Sequence, residues 1–180
     1  MENGGNTIVQ IQTQRLLIRP VEAADWQHLQ AIWRTFNASP FAGYDRPHDT
    51  EDEAVRARIA RWAAAAHGTE HLFFAVCLSE VVIGYIAFNR REQGYEAGYC
   101  FHSAYHGRGY ARESFAALLE YMRRMGAMRI TAGTALANTP SVALLKSLGF
   151  AQVGVETVSF HADSQGNAIV FEGGLFELIF

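Results

Sequence analysis

The 180-residue sequence has few charged residues, no long apolar run and almost no cysteine. Charged side chains make up 18% of it and the formal net charge is -3, so no basic surface for nucleic acid or acidic lipid is expected. No apolar stretch approaches the roughly 20 residues that cross a bilayer, and residues 1–6 lack the basic and apolar parts of a signal peptide. These absences predict a soluble, cytoplasmic protein without a nucleic-acid or membrane partner.

The sequence has two cysteines and seven histidines, and their positions do not suggest a disulfide or a metal site. Cys77 and Cys100 each lie inside an apolar, strand-like run and form no Cys-x-x-Cys pair, so two reduced and buried thiols are expected. His102 and His106 are close in sequence, but no third ligand follows at a metal-binding spacing. The sequence therefore predicts no metal site.

Hydrophobic residues make up 49% of the chain, which suits one α/β domain with a substantial core. Residues 1–12 are expected to form a mobile tail and residues 13–180 the domain. Apolar periodicity predicts the order strand, two helices, three strands, helix, strand, helix, two strands. The expected strands are 13–20, 72–78, 81–89, 96–101, 128–134, 151–160 and 168–180, and the expected helices are 26–36, 50–68, 110–125 and 139–149.

A glycine-rich loop separates the expected strand 96–101 from the helix that follows it. Its residues are His106, Gly107, Arg108, Gly109, Tyr110 and Ala111. A strand, a loop of small residues and a helix start present backbone N–H groups and the positive helix end to an anion, and phosphate is the obvious candidate. No Gly-Lys-Ser/Thr follows, which excludes a nucleoside-triphosphate loop, and Arg112 replaces the small residue of a dinucleotide fingerprint. Taken alone, the loop is equally compatible with a structural turn.

A second signature runs from Asn138 to Gly149 and Phe150. Thr139 is expected to cap a short helix there, and Pro140 fits its first position, where no N–H is needed. Gly149 is expected to end the helix.

Together these segments resemble the GNAT superfamily of N-acetyltransferases over nearly the whole chain. The loop is similar to the family's Gln/Arg-x-x-Gly-x-Gly/Ala motif, with His106 in the first position as a departure. Residues 96–99 resemble its central strand, and residues 138–150 resemble its other signature. Residues 13–20 are similar to the branch of the ribosomal-protein N-terminal acetyltransferases, the RimJ/RimL-like branch.

The resemblance implies an α/β (α+β) fold, a single GNAT-like domain at residues 13–180. Its mixed central sheet of about seven strands would be splayed between the fourth and fifth strands and flanked by about four helices. Acetyl-CoA is the implied cofactor, with its pyrophosphate on the backbone of residues 106–111. The pantetheine arm would pair with strand backbone freed around Cys100 and Phe101.

Direct attack on a thioester needs an unprotonated amine and a proton for the departing thiolate. Glu96 on the central strand is the candidate base, and its alternative is a solvated strand-edge glutamate. Many relatives carry a tyrosine acid in the final helix, but Leu145 stands at that position here. The resemblance makes Ser141 the substitute acid, whereas an ordinary first-turn serine is the alternative. Asn138 is expected to bond the pantetheine or orient a water, and alternatively serves its own turn.

By resemblance, the irregular connection 37–49 borders the acceptor pocket and makes Tyr44 and Asp45 candidate substrate contacts. A protein N-terminal α-amine is the first choice of acceptor, and a small-molecule amine such as an antibiotic or polyamine is the alternative. A pocket open on both sides favours a peptide, and one closed by residues 37–49 and the final hairpin favours a small molecule. A non-catalytic acyl-CoA-binding module is the competing class. Either a monomer or a homodimer is compatible with the sequence, since the last strand either pairs with another chain or lies inside the sheet.

Overall fold

A computed structural model describes residues 9–66 and 68–180. Within them the chain forms eight strands and four α-helices, which confirms the predicted α/β fold, with one strand more than expected. The strands are β1 Ile11–Gln12, β2 Leu17–Pro20, β3 His71–Leu78, β4 Val81–Arg91, β5 Gly94–Phe101, β6 Arg129–Ala135, β7 Ala151–Ala162 and β8 Ala168–Ile179. The helices are α1 Trp26–Asn37, α2 Asp52–Ala65, α3 Tyr110–Arg124 and α4 Thr139–Ser147, and none of them is long and apolar enough to cross a membrane.

The additional strand lies at the start of the domain. The sequence predicts one strand over 13–20, but the structure has a hairpin in which β1 pairs antiparallel with β2. Thr13 makes the turn, because its N–H donates to the carbonyl of Leu16 at 2.9 Å and its Oγ1 accepts from the Leu16 N–H at 3.0 Å. Such local bonds favour a turn over a continued strand. The last two residues of the expected tail 1–12 therefore belong to β1, and residues 1–8 lie outside the described residues.

All eight strands belong to one sheet in the order β1-β2-β3-β4-β5-β6-β8-β7. The neighbours are antiparallel except β5 and β6, which are parallel. A parallel pair needs a crossover connection, and α3 supplies it. Because β8 lies between β6 and β7, the last strand is an inner one and β7 forms the edge.

Helices cover both faces of the sheet. On one face, α3 and α4 bury side chains such as Phe115 and Leu145 against the strands. On the other face, α1 and α2 bury Trp33 and Ile59. Side chains alternate along β5, so Tyr99 points to the α3/α4 face, whereas its neighbour Cys100 points to the α1/α2 face.

The strands β5 and β6 are paired over only part of their length. Tyr95, Glu96 and Ala97 of β5 have partners on β6, but β5 continues to Phe101. The two strands therefore diverge after Ala97 and leave the edge of β5 free beside residues 98–101, a gap called the opening below. This confirms the predicted splay beside the central strand.

Candidate functional site

The glycine-rich loop lies between the end of the opening and the first turn of α3. Gly107 and Gly109 have φ angles of 72° and 80°, in the left-handed region that residues with a Cβ rarely adopt. Gly109 is the N-cap of α3, so the N–H groups of the next turn lack partners within the helix. Apart from Gly107 itself and its two chain neighbours, no heavy atom of the described residues lies within 4 Å of where a Cβ on Gly107 would stand. The loop thus presents open backbone donors and the positive helix end, as a pyrophosphate site requires.

Arg15 fastens this loop to the N-terminal hairpin. Its Nη1 donates to the carbonyl of Arg108 at 3.0 Å, and its Nε donates to Oε2 of Glu113 at 2.7 Å. The guanidinium also lies 4.5 Å from the centre of the Tyr110 ring. Thr13 adds a 2.6 Å hydrogen bond from its Oγ1 to Oε1 of Glu113. A positive charge therefore stands beside the glycine-rich loop, and contacts from the N-terminal hairpin hold the loop in place.

Glu113 places a carboxylate in the first turn of α3, where a free negative charge would repel a phosphate. Burial acts to raise the pKa of this carboxyl, but hydrogen bonds from Thr13 and Arg15 outweigh it, and the pKa lies below its usual value. The carboxylate is therefore ionised and paired with Arg15, which offsets its charge next to the loop.

His106 stands where the family motif has glutamine or arginine, and its side chain binds locally. Its Nε2 donates to the carbonyl of Phe101 at 2.8 Å. The N–H of His102 bonds to the carbonyl of Ile83 on β4, so the backbone of the preceding residue, Phe101, faces the opening. His106 thus links the loop to β5. Its side chain donates to the Phe101 carbonyl, which faces the expected path of the pantetheine.

The first turn of α4 brings Ser141 to β5 at the opening. The Ser141 Oγ lies 2.6 Å from the Tyr99 Oη, although the two residues are 42 positions apart. Asn138 is the N-cap, and its Oδ1 accepts from the Ser141 N–H at 3.3 Å. The predicted cap at Thr139 is therefore wrong: Thr139 is the first helical residue and Pro140 the second, so the first free N–H that a cap can reach is that of Ser141.

The candidate base Glu96 lies in the part of β5 that is still paired with β6. Its Oε2 accepts a 2.8 Å hydrogen bond from Nε of Arg91, and its side chain is 45% exposed. Tyr99, the residue that Ser141 contacts, lies three residues further on, about 10 Å along a strand that rises ~3.3 Å per residue. The structure therefore does not bring Glu96 to the end of the opening where Ser141 lies.

Cys100 borders the opening on the α1/α2 face. Burial raises the pKa of its thiol to about 12, and the nearby carboxylate of Asp45 adds to the rise. The thiol is therefore protonated and serves as a small packing side chain. Among the described residues, no three His, Cys, Asp or Glu side chains are grouped to hold a metal ion.

The connection between α1 and α2, residues 38–51, is fastened to the C-terminal hairpin. The ring of Tyr44 lies 5.2 Å from that of Phe171 on β8. On β7, Nε2 of His161 donates to the carbonyl of Asp45 at 2.7 Å. The two parts of the expected acceptor wall thus meet and are joined by an aromatic contact and a hydrogen bond.

On its other side the connection packs against α1. The ring of His48 stacks on Trp33 with 5.3 Å between centroids, and its Nε2 lies 3.7 Å from Oδ2 of Asp45. Burial lowers the pKa of His48, Asp45 acts to raise it and Arg58 to lower it, with a net decrease. Near pH 7 the imidazole is therefore neutral and able to accept a proton.

Three groups near the site are missing from the residues predicted by sequence. Tyr99 is adjacent to Cys100, and strand alternation alone places the two on opposite faces. Arg15 lies in the segment 13–20 that resembles the RimJ/RimL-like branch, which is its one signal in the sequence. His48 has no signal beyond its place in the irregular connection.

A parallel strand pair that separates just before a helix start capped by glycine leaves room for an extended arm with a pyrophosphate at one end. Coenzyme A has this shape, so the fold and site define a CoA-dependent acyltransferase domain. The chain matches the family model described as an acetyltransferase (GNAT) domain over residues 15–151. It therefore belongs to the GNAT family and is an acetyltransferase, with acetyl-CoA as its cofactor.

Known proteins agree with this assignment. The chain is 32% identical over 149 residues to the uncharacterized N-acetyltransferase YnaD of Bacillus subtilis (strain 168), covering 80% of this chain and 84% of that one. A GNAT-family acetyltransferase from Bacillus anthracis has a TM-score of 0.74 at 24% identity, over 95% of this chain and 98% of that one. RimL, a ribosomal alpha-N-protein acetyltransferase solved in complex with coenzyme A, has a TM-score of 0.81 at 17% identity, over 96% and 98%. The predicted resemblance to the RimJ/RimL-like branch is thus confirmed at the level of the fold.

Proposed function

We propose that the protein transfers the acetyl group of acetyl-CoA to a primary amine by direct attack of the amine on the thioester. The observation that carries this proposal is the Ser141 hydroxyl at the opening, next to the strand that leads into the glycine-rich loop. The backbone of residues 106–111 would hold the pyrophosphate, and Cys100 and Phe101 would border the pantetheine. Acetyl-CoA supplies the activated acetyl group when it is bound.

Ser141 is the acid in this proposal and gives a proton to the departing thiolate. Leu145, at the position of the family's tyrosine, is fully buried in the core, where it has no hydroxyl to offer and no access to the opening. The first turn of α4 also favours negative charge that develops near it, because the positive end of the helix dipole lies there. Asn138 fixes this turn through its bond to the Ser141 N–H.

Glu96 is the proposed base and acts through water, given its distance from the end of the opening. Glu96→Gln removes the ionisable group but keeps the shape, so we expect the acidic limb of the pH profile of kcat/KM to disappear. Glu92→Gln, which removes a solvent-exposed carboxylate at the tip of the same hairpin, is the matched control. An acidic limb that persists in Glu96→Gln rules out this role and makes the neutral imidazole of His48 the next group to test.

The surroundings of the opening support a cationic acceptor of small size. Besides burial, the charge of Asp45 raises the pKa of the Cys100 thiol, so a negative charge acts on the side of the opening that this thiol borders. The contacts of Tyr44 with Phe171 and of Asp45 with His161 join the connection to the hairpin on this side. A wall joined in this way leaves less room for a peptide chain than for a small amine. We therefore place the small-molecule amine first, and a protein N-terminus, the acceptor class in RimL's name, second.

Asp45→Asn is expected to raise the KM of a cationic acceptor at least about tenfold, because a charge-assisted hydrogen bond contributes ~1.5–3 kcal/mol. The KM of acetyl-CoA should stay unchanged, since the loop lies elsewhere. Asp49→Asn, an exposed carboxylate of the same connection that bonds to the Glu51 N–H, is the control. Thiol release with small amines and with peptides that have free N-termini measures both constants. Transfer to peptides alone contradicts the proposed acceptor class, and tight CoA binding without turnover on any acceptor favours the non-catalytic module.

A further inference from the structure

Tyr99 and Ser141 form a pair of hydroxyl groups that bridges β5 and α4. Their oxygens are 2.6 Å apart, a short distance for a hydrogen bond between two neutral hydroxyls. β5 and β6 have already diverged at this point, since Ala97 is the last residue of β5 paired with β6. The pair therefore reconnects β5 with the segment that follows β6 through side chains, at the edge of the opening.

On geometry alone either hydroxyl of this pair can donate, and the chemistry of the two groups favours the phenol of Tyr99 as the donor. Its ring lies 5.3 Å from the Phe115 ring, against the core of the α3/α4 face. Burial raises the pKa of the phenol to about 12, while the hydrogen bond with Ser141 acts to lower it, so Tyr99 keeps its proton at neutral pH. Ser141 is the one hydrogen-bond partner of this hydroxyl among the described residues. A phenol is a stronger acid than an aliphatic alcohol, so the proton of the bond comes from Tyr99.

This direction determines where the Ser141 hydrogen points. When the Ser141 oxygen accepts from Tyr99, its own hydrogen must turn away from the phenol. The Asn138 oxygen accepts from the Ser141 N–H at 3.3 Å, and within the described residues the Ser141 hydroxyl bonds to Tyr99 alone. The hydroxyl hydrogen of Ser141 is thereby left for a group that enters the opening.

We propose that Tyr99 is a positioning residue, which acts through Ser141 by holding its hydroxyl hydrogen toward the opening and by stabilising the oxygen when that hydrogen leaves. This inference rests on the proposed function, in which Ser141 is the acid. As the nitrogen–carbon bond to the acceptor forms and the carbon–sulfur bond breaks, the electron pair stays with sulfur and Ser141 gives its proton to it. The acceptor nitrogen loses its proton to the base, and Ser141 regains one from water. During this exchange the Tyr99 hydroxyl donates to the serine oxygen and lowers the cost of its transient negative charge.

Kinetics of Tyr99→Phe test this role, because the variant removes one oxygen and keeps the ring in the core. We expect kcat to fall about tenfold, the effect of losing one hydrogen bond to a charged oxygen, with the KM of acetyl-CoA unchanged. In the Ser141→Ala background the same change should cause no further loss, since Tyr99 acts through Ser141. Tyr121→Phe, a tyrosine of α3 that packs against Phe74, is the control and should leave kcat unchanged.

A second measurement does not depend on turnover. In ligand-free protein with 13Cζ-labelled tyrosine, the resonance that is missing in Tyr99→Phe belongs to Tyr99. It should shift in Ser141→Ala, which removes its hydrogen-bond partner, and stay in place in Ser147→Ala, whose hydroxyl bonds to the carbonyl of Leu144. This experiment tests the pair itself even if a kinetic variant folds poorly.

The outcomes separate the two proposals. Three results would overturn the positioning role and leave acetyl transfer in place. The first is a wild-type kcat in Tyr99→Phe, and the second is an equal loss of kcat from Tyr99→Phe in the wild-type and Ser141→Ala backgrounds. The third is a Tyr99 resonance that does not shift in Ser141→Ala. Absence of transfer from the wild-type protein to every amine and peptide acceptor overturns the proposed function and the role of Tyr99 with it.

Discussion

Replacement of Gly109 by tryptophan is expected to abolish the binding of coenzyme A. Gly109 has a φ of 80°, and any side chain there adopts a backbone conformation that costs an L-residue about 1–2 kcal/mol. The larger effect is steric, because the indole would stand where a phosphate must approach the N–H groups of the first turn of α3. Even its Cβ would lie 3.4 Å from Nη2 of Arg15, the residue that holds the loop. Isothermal titration calorimetry of the purified variant measures the loss directly.

Gly166→Trp is the matched control for this variant. Gly166 lies in the turn between β7 and β8 and has a φ of 85°, so the backbone strain is similar. Apart from Gly166 and its two chain neighbours, no heavy atom of the described residues lies within 4 Å of its Cβ position, and the turn is far along the chain from the loop. If Gly166→Trp binds CoA with wild-type affinity and Gly109→Trp does not bind it, the loss of binding is due to the side chain in the loop. Wild-type affinity in Gly109→Trp would remove the loop from the cofactor site.

Ser141→Ala is expected to lower kcat by about 100-fold, the lower end of what a positioned acid contributes. The KM of acetyl-CoA should change little, because the loop and the path of the pantetheine do not depend on this hydroxyl. Steady-state thiol release separates the two constants. Ser147→Ala lies in the same helix with an exposed side chain and should keep the wild-type rate. A wild-type kcat in Ser141→Ala would refute the role of Ser141 as the acid.

The same variant also affects the fold, and this effect must be measured separately. Ser141→Ala leaves the hydroxyl of Tyr99 without its partner in a partly buried place, at a cost of about 1–3 kcal/mol in the free energy of unfolding. Chemical denaturation gives this loss, and kinetics at a temperature where the variant stays folded give the loss in kcat. A fall in kcat that vanishes once the folded fraction is corrected would assign Ser141 to stability.

The order of helices and strands could be predicted from the sequence because each element is specified by neighbouring residues. The α3 residues Phe115 and Leu118 recur at helical spacing and are fully buried, as the pattern predicts. Errors occur where a polar side chain decides the local backbone. The hydroxyl of Thr13 breaks a predicted strand into a hairpin, and Asn138 takes the cap predicted for Thr139.

The candidate site was predictable to a smaller extent. Ser141 lies at the opening, but the ion pair of Glu96 with Arg91 lies toward the other end of β5. Strand alternation predicts the face of the sheet to which a side chain points, but it does not predict which distant segment of the chain contacts that side chain. For the same reason the pairing of Tyr99 with Ser141 has no counterpart in either local motif.

By itself the sequence determined the glycine-rich loop, the helix that starts after it and the resemblance to the GNAT family. These features depend on residues within a few positions of each other, where chain geometry restricts the choices. Tertiary structure alone decided the bond of Tyr99 to Ser141, the attachment of the loop by Arg15 and the contact of the connection 38–51 with the C-terminal hairpin. Their partners lie 42 positions apart for the hydroxyl pair, 93 for Arg15 and the Arg108 carbonyl, and 116 for His161 and Asp45. Such contacts arise from the order of strands in the sheet, and the local pattern of the sequence does not specify them.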